Sequence, residues 1–150
     1  MSGGRLRAWV RAGALCAFVV LFDQTAKGLV EEKIVVGELV DVLGPLRLTL
    51  SHNDGVAFGL AGGGGAGLIV ITLAALALVA VLFARNPTRP GMWVAFGLIA
   101  GGAIGNLADR IRLGAVTDFI DLPHWPNFNL ADISVTAGVV VLAYIYLRDA

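Results

Sequence analysis

The stretch AGLIVITLAALALVAVLFA, residues 66–84, decides the class of this protein, because nineteen successive residues carry no charge. An α-helix rises about 1.5 Å per residue, so a helix of this length comes close to the roughly 30 Å hydrocarbon core of a bilayer. The 150-residue chain is 57% hydrophobic and only 15% charged, which is unusual for a soluble protein. The sequence therefore predicts a membrane protein.

Other apolar stretches extend this prediction to four transmembrane helices. The first of them has only eleven uninterrupted apolar or small residues between Arg11 and Asp23, so it spans only if its ends hold polar groups. We expect an all-α membrane protein with a small extracytoplasmic β-hairpin or sheet between helices 1 and 2, forming a single integral-membrane domain over residues 1–150. The three additional predicted spans are residues 9–30, 92–108 and 133–147.

The N-terminal segment also resembles a cleaved signal peptide, since basic residues precede a short apolar core. A cleavage site needs small residues just after that core, but Phe22, Asp23 and Gln24 follow it instead. The sequence therefore favours a retained helix.

The distribution of charge predicts the orientation. With four spans, both termini and the 85–91 loop share one side of the membrane, and cytoplasmic loops are enriched in Arg and Lys. We therefore expect both termini in the cytoplasm and the acidic side outside it. No basic face carries interleaved aromatic residues, so nucleic acid is not an expected partner. The arginines of the cytoplasmic side, opposed there only by Asp149, are Arg5, Arg7, Arg11, Arg85, Arg89 and Arg148.

The segment 34–60 between the first two spans predicts a β-hairpin. In LRLTLSHN, residues 46–53, leucines alternate with polar residues, as in a strand with one apolar face. The preceding segment ends in the turn signal Gly44-Pro45. A lone hairpin is marginal in water, so we expect it to lean on the membrane interface or on the helix ends. The run GGGG at 62–65 favours a flexible linker over a phosphate-binding loop.

Polar residues gather at one end of the predicted spans. Ionisable groups at membrane depth are costly unless paired or wetted, so each is a functional candidate, with an interfacial anchor as the alternative. Because such residues of three helices converge on one side of the membrane, a functional role is favoured over simple anchoring. The pairs that share a helix face by their spacing are Asp23 with Lys27, Asn106 with Arg110, and Asn129 with Asp132.

Carboxylates are the most plentiful candidates for chemistry. No serine or cysteine has a base at an obvious spacing, and His52 and His124 stand 72 positions apart, so neither a metal site nor a cofactor is expected. Asp118 and Asp132 are separated by a thirteen-residue loop that could fold back and set them face to face. Two close aspartates share one proton, so one acts as a base and the other as an acid.

Four blocks of the sequence resemble the signature blocks of bacterial lipoprotein signal peptidases, the signal peptidase II family. They are DQTAK (23–27), NDGVAFG (53–59), GGAIGNLADRIRLGAVTDFID (101–121) and FNLADISVTAG (128–138). The resemblance implies an intramembrane aspartyl endopeptidase of the bacterial inner membrane. Such an enzyme removes the signal peptide of prolipoproteins just before a cysteine that carries diacylglycerol. It implies prolipoprotein and membrane lipid as partners, no cofactor, and we expect a monomer.

The same resemblance assigns the site residues. It implies that the catalytic pair is Asp118 and Asp132, and that Asp109 is not the second catalytic acid. The loop 119–131 between the pair is short and contains two prolines. The residues that the resemblance places in the lining or support of the site are Asp23, Lys27, Asn53, Gly55, Asn106, Arg110, Asn129 and Ala131.

Two other functions compete with a peptidase. A small ion or proton carrier using membrane aspartates predicts acids near mid-span, whereas Asp23, Asp118 and Asp132 fall at span ends on one side. A structural membrane subunit would tolerate replacement of Asp118 and Asp132 by Asn at little cost.

Overall fold

The structure, a computed structural model, describes residues 3–55 and 66–148 and consists of four long helices and three short strands. The GGGG run and the end of the NDGVAFG block lie outside the described residues. Three helices, α2 to α4, are long and apolar enough to cross a membrane. The elements in chain order are α1 (Gly3–Lys33), β1 (Leu39–Leu43), β2 (Leu46–Asn53), α2 (Ala66–Arg85), α3 (Met92–Leu113), β3 (Val116–Asp121) and α4 (Leu130–Leu147).

The helices are longer than the apolar stretches that predicted them. The third helix was expected to end at residue 108, but α3 continues to Leu113, so Asp109 is on the helix. The fourth was expected to begin at residue 133, but α4 begins at Leu130. Its first turn is held by a capping box, in which Asn129 and Asp132 each accept a hydrogen bond from the other's backbone N–H. Hydropathy missed these ends because polar residues satisfy the backbone groups there.

Helix α3 forms the centre of the bundle and packs closely against α1 and α4. Its glycines permit this approach: a Cβ atom on Gly101 would lie 2.6 Å from Val19 Cβ on α1. On α4, a Cβ atom on Gly138 would lie 2.6 Å from Ile99 Cγ1 of α3. Helix α2 is different, because Phe83 is its only buried residue and most of its surface is free to face lipid. The apolar pattern of residues 66–84 carries no signal that distinguishes such a peripheral helix from a buried one.

Gly102 offers a test of this packing. A Cβ atom there would collide with the carbonyl oxygen of Ala131 and lie 2.8 Å from Val135 Cγ2. We expect Gly102→Ala to lower the free energy of unfolding in detergent by about 1–3 kcal/mol through overpacking. Gly13→Ala is the matched control, because nothing lies within 4 Å of a Cβ atom on Gly13. The control should be neutral or raise stability by up to about 1 kcal/mol, and equal destabilisation of both variants would contradict the packing argument.

The predicted hairpin is confirmed, and it is part of a three-stranded antiparallel sheet in the order β1-β2-β3, whose third strand follows α3 and does not come from the segment between the first two helices. Strands β1 and β2 turn at Gly44, whose φ of 55° suits glycine. Residues 119–121 were expected to be loop and instead belong to β3, so that part of the prediction was wrong. Strand β3 pairs with β2 more than 60 positions earlier, and a pairing of that range leaves no local periodic signal.

The sheet rests on the polar end of the bundle through a small apolar cluster. Leu50 of β2 and Phe119 of β3 are buried against Val30 of α1. The expectation that the hairpin leans on helix ends is therefore confirmed. This cluster holds β3 beside the first turn of α4. A β-bridge between Phe128, just before α4, and Ile120 of β3 holds the two elements together as well.

Candidate active site

Asp118 lies in the middle of β3 and is only 2% exposed. Asn129 Nδ2 donates to its Oδ1 at 2.7 Å, and Asn53 Nδ2 donates to its Oδ2 at 3.2 Å. Ser51 lies opposite Asp118 in the sheet, and its hydroxyl donates to the Asp118 carbonyl oxygen at 3.2 Å. Between Ser51 and Leu48, β2 contains one residue more than β3, which is a bulge. Bulges re-aim side chains beside active sites, and this one sets the register that brings Asn53 to Asp118.

Asp132 lies in the first turn of α4 and is half-buried. Its Oδ1 accepts a hydrogen bond from Asn106 Nδ2 at 2.8 Å, and its Oδ2 accepts one from the Asn129 backbone N–H at 3.2 Å. Asn129 therefore donates to both carboxylates, by its side chain to Asp118 and by its backbone to Asp132. These two hydrogen bonds confirm the prediction that the chain between Asp118 and Asp132 folds back, since both carboxylates contact the same residue.

The surroundings of Asp118 favour its protonated form. Burial, followed by the charge of Asp132, raises the pKa of Asp118 from 3.8 to about 6. The hydrogen bonds from Asn53 and Asn129, and the positive charge of Lys27, act in the opposite direction on this pKa and are outweighed. A buried acid next to a more exposed carboxylate is the arrangement in which one proton is retained by the pair.

Lys27 is buried beneath the two aspartates, and its charge is balanced by two further carboxylates. Its ammonium group lies 2.8 Å from Asp23 Oδ2 and 2.7 Å from Asp109 Oδ2, and none of the three side chains is more than 1% exposed. Gln24 Nε2 donates to Asp109 Oδ1 at 2.9 Å and completes this layer. Burial of charge requires such pairing. The pairing of Asp23 with Lys27, expected from their spacing, is confirmed.

Asn106 connects the buried ion pairs with the aspartates. Its Oδ1 accepts from Lys27 Nζ at 3.0 Å and from Asn129 Nδ2 at 3.1 Å, while its Nδ2 donates to Asp132. An ammonium group only donates, so the amide oxygen of Asn106 must face Lys27 and its NH₂ group must face Asp132. Lys27 and the Asn129 amide, which both donate to the Asn106 oxygen, therefore fix which group Asn106 presents to Asp132.

The other residues expected at the site have different positions. The Ala131 backbone N–H donates to Asp23 Oδ1 at 2.9 Å, which ties the start of α4 to α1. Gly55 follows Asn53 with φ 78°, and its N–H donates to Asn53 Oδ1. Arg110 is half-buried, and within the described ranges its side chain has neither a hydrogen bond nor an ion pair with the residues above. The structure does not bring Arg110 into this network.

Several residues of the network were missed by the sequence analysis. Asp109 was excluded as the second catalytic acid, but its role as an ion-pair partner of Lys27 was not predicted, although it follows Asn106 by one helical turn. Thr117 Oγ1 donates to Glu31 Oε1 at 2.7 Å, and Asn127 Nδ2 donates to the Ser51 hydroxyl at 3.0 Å. These last contacts join distant segments, so no local spacing could have predicted them.

An apolar groove opens beside Asp132. It has a volume of about 370 Å³, and Trp125, Phe128, Ile133 and Thr136 line it together with Asp132. A second recess of about 250 Å³ lies between α1, α3 and α4 and shares Ile133 with the first. In the part of the chain that the structure describes, no three His, Cys, Asp or Glu side chains gather as a metal site. The absence of a metal requirement stays a prediction.

The sequence profile of Signal peptidase (SPase) II matches residues 15–148. The chain belongs to the signal peptidase II family. It is 41% identical over 138 residues to the lipoprotein signal peptidase of Pelotomaculum thermopropionicum, covering 91% of each chain. It is 45% identical over 131 residues to that of Brucella ovis, covering 82% of each.

The fold also matches a solved structure. A bacterial membrane enzyme, determined at 1.9 Å by the in meso method, superposes with a TM-score of 0.87 at 32% identity, covering 93% of this chain and 94% of the other. Membership of the signal peptidase II family, expected from the four sequence blocks, is therefore confirmed.

Proposed function

We propose that this protein is a lipoprotein signal peptidase that cleaves prolipoproteins immediately before the S-diacylglyceryl-cysteine, with Asp118 and Asp132 as an aspartyl dyad. The observation that carries the proposal is the bridging of the two carboxylates by Asn129. The ion-carrier alternative has no comparable support, because Asp23 and Asp109 are paired with Lys27 and do not continue a path through the bundle.

The different surroundings of the two aspartates assign their roles. Asp132 is nearer to solvent and is the base that takes a proton from the attacking water. Asp118 holds the shared proton, since burial and the neighbouring charge raise its pKa to about 6, and it donates this proton to the carbonyl oxygen of the scissile peptide. Asp132 then gives its proton to the leaving nitrogen, and Asp118 recovers a proton from the tetrahedral hydroxyl as the peptide bond breaks.

The groove beside Asp132 suits a substrate that stays in the bilayer. Its lining is mostly apolar, and its side walls on α4 are continuous with the exposed face of that helix, where Val140 is 62% exposed. Lipid-linked peptide could enter sideways from the membrane and place its scissile bond at the dyad. Arg110 lies outside the inner hydrogen-bond network, and Gly55 joins it only through its N–H, which donates to Asn53 Oδ1. Both residues are proposed to contact the substrate backbone.

We infer that the protein is a single monomeric domain in the bacterial inner membrane, with four spans, both termini cytoplasmic and the sheet outside. The arginine-rich end supports this orientation. A reporter that is active only outside the cytoplasm, fused after Ala150, should be silent. Activity of that fusion would contradict the orientation and leave the chemistry of the dyad untouched.

Incubation of the purified protein with a diacylglyceryl-modified prolipoprotein tests the function. We expect a shorter lipoprotein whose new N-terminus is the modified cysteine, detected by mass spectrometry. The same precursor without diacylglycerol is the control and should remain uncleaved. An unchanged lipidated precursor would overturn the proposal.

The dyad also predicts how cleavage depends on pH. Activity needs the singly protonated pair, so the rate should fall at low pH when a second proton binds, and fall again as the pH rises through the apparent pKa that Asp118 dominates. The hydrogen bond from Asn53 lowers the pKa of Asp118. Asn53→Ala should therefore move the alkaline limb of the pH profile of kcat to higher pH, and a shift to lower pH would contradict the assignment of the proton.

A further inference from the structure

The segment between β3 and α4 presents a tryptophan beside Asp132. Trp125 is 67% exposed and lines the apolar groove together with Asp132. Tryptophan has a large apolar ring with a single N–H donor, and it is enriched where a partner or a membrane interface covers the ring. The proton transfers proposed for the dyad do not use Trp125.

A tight turn sets the direction in which Trp125 projects. The Trp125 backbone N–H donates to the Leu122 carbonyl oxygen at 3.1 Å, with Pro123 and His124 between the two residues. His124 has a φ of 66°, which is uncommon for a residue other than glycine. Proline followed by a residue with positive φ defines a type II turn, in which glycine is favoured at the position that His124 occupies. Backbone strain of this kind clusters at functional sites.

The chain that follows the turn is fixed to the sheet. The Phe128 N–H donates to the Ile120 carbonyl oxygen at 3.1 Å, and the Ile120 N–H donates to the Phe128 carbonyl oxygen at 2.8 Å. Asn127 Nδ2 donates at 3.0 Å to the Ser51 hydroxyl, which donates to the Asp118 carbonyl oxygen. These hydrogen bonds hold the tryptophan in a fixed relation to the dyad. A ring that is already positioned loses little entropy when substrate covers it.

The chemistry of the substrate indicates what covers the ring. The role of Trp125 rests on the proposed function, in which the leaving nitrogen belongs to the S-diacylglyceryl-cysteine. The thioether and the glyceryl esters are attached a few bonds from that nitrogen, so they lie close to Asp132 when the scissile bond is at the dyad. The groove beside Asp132 has apolar walls from Phe128 and Ile133. We propose that Trp125 is a specificity-determining residue that packs against the glyceryl esters and first methylene groups of the substrate lipid.

Steady-state cleavage of a diacylglyceryl-modified prolipoprotein, at a fixed detergent concentration, tests this role. Trp125→Ala should raise KM roughly tenfold through loss of the aromatic contact. It should leave kcat within about threefold of the parent, because the ring contacts the lipid and not the reacting atoms. Trp125→Phe keeps a flat ring and should hold KM within about threefold of the parent.

Ile111→Ala is the matched control. Ile111 is 70% exposed near the end of α3 and does not line the groove, so KM should change by less than about twofold. KM does not depend on the amount of active enzyme, so partial unfolding of a variant would not imitate the expected result. An unchanged KM for Trp125→Ala would overturn the proposal, and so would a lower kcat with KM unchanged. Cleavage by the parent tests the peptidase function separately.

Fluorescence quenching distinguishes contact with the substrate lipid from general membrane anchoring. The chain has three tryptophans, and the other two, Trp9 and Trp93, pack against the cluster around Phe83 and Met92. Replacing both by Phe in an Asp118→Asn background leaves Trp125 as the only tryptophan and keeps the substrate uncleaved.

A prolipoprotein brominated on the acyl carbons nearest the esters should quench the Trp125 fluorescence saturably. An equal concentration of phospholipid brominated at the same carbons should quench it much less. Equal quenching by the phospholipid would show an interfacial anchor only and overturn the proposal. If the parent did not cleave, the same measurement with Asp118 retained would still report whether the substrate lipid contacts the ring.

Discussion

Asp118→Asn and Asp132→Asn should each remove nearly all cleavage of a diacylglyceryl-modified prolipoprotein. Each substitution deletes one of the two proton-transfer groups, and general acid–base catalysis contributes roughly 10²- to 10⁴-fold to a rate. We therefore expect kcat to fall by about 10³-fold or more in either purified variant. The double variant should lose little beyond either single variant, because the two groups act as a unit.

Asp121→Asn provides the matched control for this pair. Asp121 is on the same strand as Asp118 but forms an ion pair with Arg47 at 2.6 Å, so the same chemical change occurs outside the dyad. The control should cleave the substrate at a rate within a few-fold of the parent protein, because Asp121 takes no part in the proposed proton transfers. Substantial turnover by Asp118→Asn or Asp132→Asn would refute the dyad and favour the structural-subunit alternative.

Asp118→Asn should lower activity without lowering the stability of the protein at alkaline pH. Because the native protein keeps the Asp118 proton up to about pH 6, while the unfolded chain loses it near 3.8, ionisation of this group lowers stability as the pH rises through that window. Above it, a neutral Asn removes the cost of the buried charge. The variant should therefore unfold in detergent at pH 8 at the same temperature as the parent or higher.

Lys27→Met should be strongly destabilising. It leaves Asp23 and Asp109, both fully buried, without the cation that lies within 2.8 Å of each. Loss of one partner from a buried ion pair costs about 3–5 kcal/mol, which thermal or denaturant unfolding in detergent would detect. Arg112→Gln is the control, because Arg112 also contacts Asp109, at 3.4 Å, but is 59% exposed. That change should cost at most about 1 kcal/mol.

A compensated variant separates the structural role of Lys27 from its role in positioning Asn106. Lys27→Met combined with Asp23→Asn and Asp109→Asn removes the buried charges together, and neutral replacement of a whole buried group is often tolerated. Stability should recover, yet kcat should stay below that of the parent, because the Asn106 oxygen has lost its ammonium donor and is then held away from Asp132 by Asn129 alone. Full recovery of kcat would show that Lys27 acts through stability alone.

The sequence by itself determined the membrane class and the hairpin, and its resemblance to the signal peptidase II family nominated Asp118 and Asp132 as the proposed dyad. Nineteen uncharged residues at 66–84 are a signal confined to one segment, and so is the alternation at 46–53. Such patterns can be read locally because burial of one helix or one strand face depends on neighbouring residues in the chain. The spacing of Asp23 and Lys27 is local in the same sense, and their pairing was predicted correctly.

Only the tertiary structure decided how these parts form a site. The bridging of Asp118 and Asp132 by Asn129, the pairing of β3 with β2, and the second carboxylate on Lys27 each join segments whose separation in sequence carries no periodic signal. The raised pKa of Asp118 has the same origin. It depends on burial and on a charge from another element, and both arise only when the strand and the helix are packed together.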